Sequence, residues 1–107
     1  MATKTSYKVI ISPLAKNDLH EIFSYISSVL YAGQAAQTLM AEIQEMILSI
    51  GENPHKFTIS LDHILAEKGY RRAIVKKYVI LYLADEDKKI VNIVRVFYGS
   101  MNYAKYI

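Results

Sequence analysis

A cluster of basic residues lies in the middle of the chain, within the ten residues from 68 to 77. It consists of Lys68, Arg71, Arg72, Lys76 and Lys77. Ammonium and guanidinium groups at this density are typical of a surface that binds phosphate or acidic side chains. In a β-strand, Arg71 and Arg72 would point to opposite faces. The inward arginine should therefore meet a carboxylate, backbone carbonyls or a ligand phosphate, because burying it unpaired is costly.

Another arginine, Arg95, lies in the apolar run that ends at Tyr98. A structural ion pair, an aromatic stack or a ligand site would each explain it. The chain has nine tyrosines, and they concentrate late: Tyr70, Tyr78, Tyr82, Tyr98, Tyr103 and Tyr106. Arginine beside tyrosine suits RNA, since guanidinium binds phosphate and rings stack on unpaired bases, and it equally suits a protein hot spot. For Tyr78 and Tyr82, the preference of tyrosine for half-buried strands is the simpler interpretation.

The chain lacks the common signatures of nucleotide-binding and hydrolytic enzymes. Its four glycines are isolated, so they form neither a phosphate-binding loop nor a nucleophile elbow. There is no cysteine, and His20, His55 and His63 do not have metal-ligand spacing. We therefore expect neither a cofactor nor a metal site.

Composition limits the size and surroundings of the protein. With 107 residues, 52% apolar and 21% charged, the chain suits one globular domain, placed at residues 1–107. Residues 1–53 hold three Lys/Arg and five Asp/Glu, whereas residues 54–107 hold ten and five. The basic half favours an acidic partner, although a solvated basic face explains it equally well. The stretch MATKTSYKVI lacks the long apolar core of a signal peptide, and no apolar stretch is near the ~20 residues of a membrane span, so we expect a cytoplasmic protein with no membrane partner.

Two helices are predicted in the first half of the chain. A strand at 7–11 is followed by Ser12 and Pro13, a helix N-cap with proline in the first turn. Apolar residues then follow helical spacing up to Val29 and Leu30, with the polar face holding Asp18 among others. A second helix runs from about Gln34 to position 51. The short link between the two helices predicts an antiparallel hairpin.

Three strands are predicted in the second half. Residues 52–68 lack a period and are interpreted as a loop with a short strand or turn inside. The runs 70–76, 78–84 and 89–98 are rich in β-forming residues, and the last two are joined by a polar turn. Strict alternation in the last run places Val91, Ile93, Arg95 and Phe97 on one face. The expected fold is α+β with the order β-α-α-β-β-β, an N-terminal helical hairpin packed on a mainly antiparallel four-stranded sheet.

Several segments together resemble a known family. They are YKVIISPLAKNDLHEIFSYI, the ENP after the second helix, GYRRAIVKKYVILYLADED and the ending VNIVRVFYGSMNY. In order and spacing they resemble the RelE/ParE toxins over nearly the whole chain. The resemblance implies a growth-inhibiting toxin of a type II toxin–antitoxin system, neutralised by a cognate antitoxin protein. We expect the antitoxin segment to fold as it binds across the helical hairpin or the sheet.

The resemblance leaves two targets open. RelE-like members cleave mRNA on the ribosome, and ParE-like members are associated with poisoning DNA gyrase. In the RelE branch, arginines commonly follow the third-strand tyrosine and the glycine after the last strand. Here Val79 follows Tyr78, and Ser100 and Met101 follow Gly99. RNA cleavage needs cations at the phosphate and a proton donor for the leaving oxygen, so these differences favour the ParE branch slightly.

Candidate site residues follow from the motifs that remain. If the protein is an endoribonuclease, the resemblance makes Arg71, Arg72, Arg95 and Tyr98 the candidate catalytic residues. Residues that would bind RNA or another target are Lys68, Lys76, Lys77, Tyr103 and Tyr106. A ParE-like protein would instead inhibit gyrase without being an enzyme. A non-toxic basic module that binds nucleic acid is a further alternative.

Overall fold

The computed structural model describes residues 6–60 and 63–99. The helices are α1 (Pro13–Ser24), α2 (Gly33–Glu52) and the short α3 (His63–Glu67). One π-helical turn, Tyr25–Val29, continues α1, and a 3₁₀ turn, Pro54–Lys56, follows α2. The strands are β1 (Lys8–Ile11), β2 (Thr58–Ile59), β3 (Arg71–Val75), β4 (Tyr78–Asp85) and β5 (Ile90–Tyr98).

The strands form one sheet with the order β1-β5-β4-β3-β2. The first strand pairs with β5 in parallel, and the other neighbours are antiparallel. The predicted α+β fold, with a helical region packed on a mostly antiparallel sheet, is confirmed. The sheet has five strands in the described residues, where four were expected. The fifth, β2, has two residues and is too short to produce an alternating pattern.

The main core lies between the helices and one face of the sheet. Ile43, Ile47 and Ile50 on α2 pack with residues of β4 and β5. The strand residues are Ile80, Tyr82, Val91, Ile93 and Val96. This apolar packing is the main source of stability in a domain of this size.

A β-bulge breaks the alternation of β5. Leu81 of β4 faces Arg95, whereas the next residue, Tyr82, faces Ile93. Val94 is therefore the extra residue in β5. The prediction that Ile93 and Arg95 share a face is wrong, because the bulge rotates Arg95 to the face that carries Leu81.

The first helix ends in an unusual conformation. Within the π-turn the Leu30 N–H donates to the carbonyl of Tyr25. Tyr31 then has a left-handed backbone with φ of 54°, and the Ala32 N–H closes the turn on the carbonyl of Ile26. The wider π-turn rotates the apolar stripe, so Val29 and Leu30, predicted as part of it, are 58% and 55% exposed.

A buried hydroxyl links the sheet to the end of α2. Tyr82 is fully buried, and its hydroxyl donates a 2.6 Å hydrogen bond to the carbonyl of Pro54. Burial raises the pKa of Tyr82 to about 12, against a smaller lowering by the charge of Arg71. The neutral phenol is thus the form that the folded chain holds.

Replacing Tyr82 by phenylalanine tests this contact. Near pH ~7 the variant should lose about 1–3 kcal/mol of unfolding free energy, because the Pro54 carbonyl loses its donor. The phenol of the unfolded wild type ionises from pH ~10, whereas the folded one stays neutral up to about 12. The wild type therefore loses stability as pH rises through this window, and phenylalanine does not.

The difference between wild type and Tyr82→Phe in urea unfolding should therefore be smaller at pH ~11 than at pH ~7. Tyr31→Phe is the matched control, because its ring is 90% exposed and its stability should follow that of the wild type. A difference between wild type and Tyr82→Phe that stays constant with pH would contradict the assignment.

Candidate functional site

The end of the sheet where β5 terminates holds four of the candidate residues, and an ion pair organises it. Arg95 Nε donates to Asp18 Oδ2 and Nη2 donates to Oδ1, both at 2.8 Å. The side chains of Arg95 and Asp18 are only 15% and 10% exposed. The guanidinium also lies 4.9 Å from the centre of the Phe97 ring. Arg95 thus makes both the ion pair and the aromatic stack that the sequence allowed.

The geometry of the sheet edge brings Asp18 to this position. The paired register of β1 ends at Ile11, opposite Ile93. Ser12 then donates its N–H to the Ile93 carbonyl and its hydroxyl to the Val94 carbonyl, at 3.0 and 2.8 Å. The helix that follows crosses the edge of β5, and Asp18 Oδ2 accepts the Val96 N–H at 2.9 Å. Asp18 therefore satisfies a backbone donor that β1 does not reach.

The two adjacent arginines of β3 diverge, as predicted. Arg71 faces Tyr82 on the helix side of the sheet, and its Nη1 donates to the Phe57 carbonyl at 2.7 Å. Arg72 faces Leu81 on the other side. Its Nε is buried and has no hydrogen-bond partner among the described residues.

Tyr98 lies between two grooves at this end of the molecule. Its ring is 42% exposed and meets Tyr78 edge to face, with ring centres 5.5 Å apart. A groove of about 740 Å³ runs past Tyr98 between α1 and β5, lined also by Asp18, Glu21 and Arg95. A second groove, of about 400 Å³, lies between Tyr98 and the β3–β4 turn.

The lysines of the basic cluster lie in different parts of the structure. Lys76 and Lys77 form the β3–β4 turn and line the second groove, and Lys76 Nζ lies 3.2 Å from a carboxylate oxygen of Glu42. Lys68 is exposed after α3. Tyr103 and Tyr106 lie outside the described residues. The structure thus brings Arg95, Tyr98 and the turn lysines to one end, while Arg71 and Arg72 diverge across the sheet.

Three apolar residues of this end were not predicted as part of a site. Tyr25 and Leu30 line the larger groove with Tyr98, and Tyr31 follows directly. Their exposed fractions are 54%, 55% and 90%. Helical periodicity placed Leu30 in the buried stripe, because the π-turn that exposes it has no clear signature in the sequence.

A second group of titratable side chains lies where the β4–β5 turn meets the start of the described chain. Glu86 accepts from the Tyr7 hydroxyl at 2.5 Å and lies 2.6 Å from His55 Nε2. The hydrogen bond from Tyr7 is the main cause that lowers the pKa of Glu86, and His55 and Lys89 add to it. These exposed contacts tie three chain segments together.

The described residues contain neither a metal-binding group nor a membrane-spanning helix. In residues 6–60 and 63–99, no group of three His, Cys, Asp or Glu side chains is arranged to hold a metal ion. No helix in those ranges is long and apolar enough to cross a bilayer.

The fold is that of a RelE/ParE superfamily toxin. The model of the family described as the ParE toxin of the type II toxin–antitoxin system parDE matches residues 9–103, and the chain belongs to this family. No curated protein matches the chain.

Two solved structures show the same fold. The toxin–antitoxin complex RelBE2 from Mycobacterium tuberculosis matches with a TM-score of 0.67 and 23% identity, over 90% of this chain and 94% of that one. A chromosomal ParDE toxin–antitoxin system from P. aeruginosa matches with a TM-score of 0.69 and 15% identity, over 85% and 94%.

Replacing Asp18 by alanine should destabilise the protein strongly. The change leaves the largely buried guanidinium of Arg95 without its carboxylate and the Val96 N–H without its acceptor, so we expect a loss of about 3–5 kcal/mol in unfolding free energy. Chemical denaturation measures it. Glu21→Ala, an exposed carboxylate on the same helix, is the matched control and should change stability by less than about 0.5 kcal/mol.

A double-mutant cycle isolates the pair. Asp18→Ala combined with Arg95→Met should cost less than the sum of the two single changes, because the ion pair between the two side chains can be lost only once. Additive costs would show that the two side chains do not stabilise each other.

Proposed function

We propose that this type II toxin arrests growth by acting on DNA gyrase and not by cleaving mRNA. The observation that supports it most is that two of the candidate arginines are held by partners within the protein. Arg95 is held by Asp18 and Arg71 by the Phe57 carbonyl. A nuclease needs cations aimed at a phosphate together with an acid and a base, and these two guanidinium groups are directed to internal partners.

Electrostatics in the larger groove agrees with this proposal. The charge of Arg95 is balanced by Asp18, and Glu21 adds a carboxylate to the lining. Such a groove attracts a phosphate backbone weakly. Apolar and aromatic side chains make up the rest of its lining, a composition suited to protein contacts.

The proposal includes a cognate antitoxin. Both solved relatives come from toxin–antitoxin systems, which supports a partner of this kind. The proposed binding site is an apolar groove of about 430 Å³ lined by β1 and the two long helices, with Val9, Leu19 and Met40 among its residues. It adjoins β1, an edge strand to which an antitoxin segment could add a strand.

A ribosome-dependent endoribonuclease is the second candidate, and Arg72 favours it. Its Nε is buried without a hydrogen-bond partner among the described residues, but the side chain as a whole is partly exposed, so the outer part of the guanidinium can meet a phosphate. The assignment of Arg71, Arg72, Arg95 and Tyr98 as catalytic residues stays a prediction tied to this alternative.

Parallel assays with the purified protein separate the two functions. The gyrase proposal predicts that the toxin inhibits DNA supercoiling by gyrase, that premixed antitoxin restores supercoiling, and that in vitro translation proceeds normally. Inhibited translation with new 5′ ends on the mRNA, and unaffected supercoiling, would contradict it in favour of the nuclease. Induction in cells should arrest growth, and co-expressed antitoxin should relieve the arrest.

A further inference from the structure

An exposed apolar surface lies at the turn between the two long helices. Tyr25, Leu30, Tyr78 and Tyr98 line one groove, and the exposed Tyr31 directly follows Leu30; we call these five residues the tyrosine patch. Four of its members are 42–90% exposed, Tyr31 most of all. Contiguous apolar surface of this kind on a soluble protein marks an interaction site.

The backbone of the patch holds a conformation that its sequence does not favour. Tyr31 has φ of 54°, in the left-handed region that bulky residues rarely adopt and that glycine adopts freely. It occupies the position after a helix where glycine is the usual residue. The chain therefore keeps a strained tyrosine whose ring gains little from burial, a combination that points to a role outside folding.

Two of the rings are presented from a rigid support. Tyr78 and Tyr98 lie on the paired strands β4 and β5, directly opposite each other, and contact edge to face. Leu30 forms a wall of both grooves. Ordered tyrosines of this kind lose little conformational entropy on binding, which is why tyrosine is common in binding hot spots.

The charges around the patch indicate which class of partner fits. Lys76 and Lys77 lie on one rim, whereas Asp18 and Glu21 line the groove on the other side. A nucleic acid needs several cations along its backbone, and Glu21 opposes that because the charge of Asp18 is already balanced by Arg95. A protein surface with an apolar pocket, and with acidic residues facing the β3–β4 turn, complements this distribution.

From these observations we propose that the tyrosine patch is the surface through which the toxin contacts its protein target, by inserting Tyr31 and Leu30 into an apolar pocket with an acidic rim. The inference rests on the proposed function and assigns its contact surface. Target contact and antitoxin binding would then use different surfaces, because the patch shares no residue with the apolar groove assigned to the antitoxin.

The test uses the full-length protein with Tyr31→Gly as the main variant. Glycine removes the ring and adopts the left-handed backbone without strain, so the melting temperature should equal or exceed that of the wild type. Antitoxin affinity should stay within about twofold, whereas the concentration that half-inhibits gyrase supercoiling should rise at least about tenfold, the loss typical of a hot-spot residue.

Two further variants sharpen the result. Leu14→Ala is the matched control, since Leu14 is 57% exposed at the start of α1 and its loss should leave inhibition unchanged. Lys77→Glu should weaken inhibition, and more so at low than at high salt, because it reverses the charge that faces the acidic rim.

Each contrary outcome overturns either the patch, its assigned partner or the proposed target. Wild-type inhibition by folded Tyr31→Gly overturns the patch. Loss of antitoxin affinity with inhibition retained would make the patch an antitoxin surface, and a dimer that dissociates in Tyr31→Gly would make it a surface for a second copy. If the wild-type protein arrests growth without inhibiting gyrase, only the proposed target is wrong. Growth arrest by the wild type is then compared with that by Tyr31→Gly, and equal arrest by the two proteins overturns the patch.

Discussion

The carboxylate of Asp18 is the contact on which the functional end of the molecule depends. The first strand has four residues and β5 has nine, so β1 cannot pair with all of its neighbour. Asp18 accepts the Val96 N–H beyond the end of β1 and binds Arg95 in the same place. It thereby fixes where α1 crosses the edge of the sheet, and with it the position of the π-turn and the tyrosine patch.

This use of Asp18 also limits the chemistry of the site. A largely buried ion pair contributes little net stability compared with apolar packing, and its value lies in holding one geometry. An arginine held this way is directed to its carboxylate and not to a substrate phosphate. With Lys76 close to Glu42, the surface around Tyr98 presents rings and aliphatic groups more than free positive charge, which suits a toxin that works by contact.

The regular elements could be predicted from the sequence because each depends on local patterns. Ser12 and Pro13 start α1 as expected, the two helices follow their apolar periodicity, and the last three strands match their β-rich runs within a residue or two. The two-residue β2 and five-residue α3 are too short to produce a periodic signal. The single-residue insertion at Val94 depends on the register with β4, which no local pattern records.

The site was predictable only in part for the same reason. The sequence indicated that Arg71 or Arg72 must find a polar partner and that Arg95 could form an ion pair. It did not identify Asp18 as that partner, since helical spacing placed Asp18 on the polar face. The spacing holds one clue, because Asp18 lies three residues after Ala15 and four before Ile22, at the border of the apolar stripe.

The most direct test of the account removes the charges of the pair and keeps its shape. In Asp18→Asn with Arg95→Met, the amide oxygen can still accept the Val96 N–H, and folding is verified by circular dichroism. The folded double variant should inhibit gyrase within about threefold of the wild type, because Arg95 has a structural role. A loss of about 10²-fold or more, the size expected when a charge-stabilising catalytic group is removed, would contradict it.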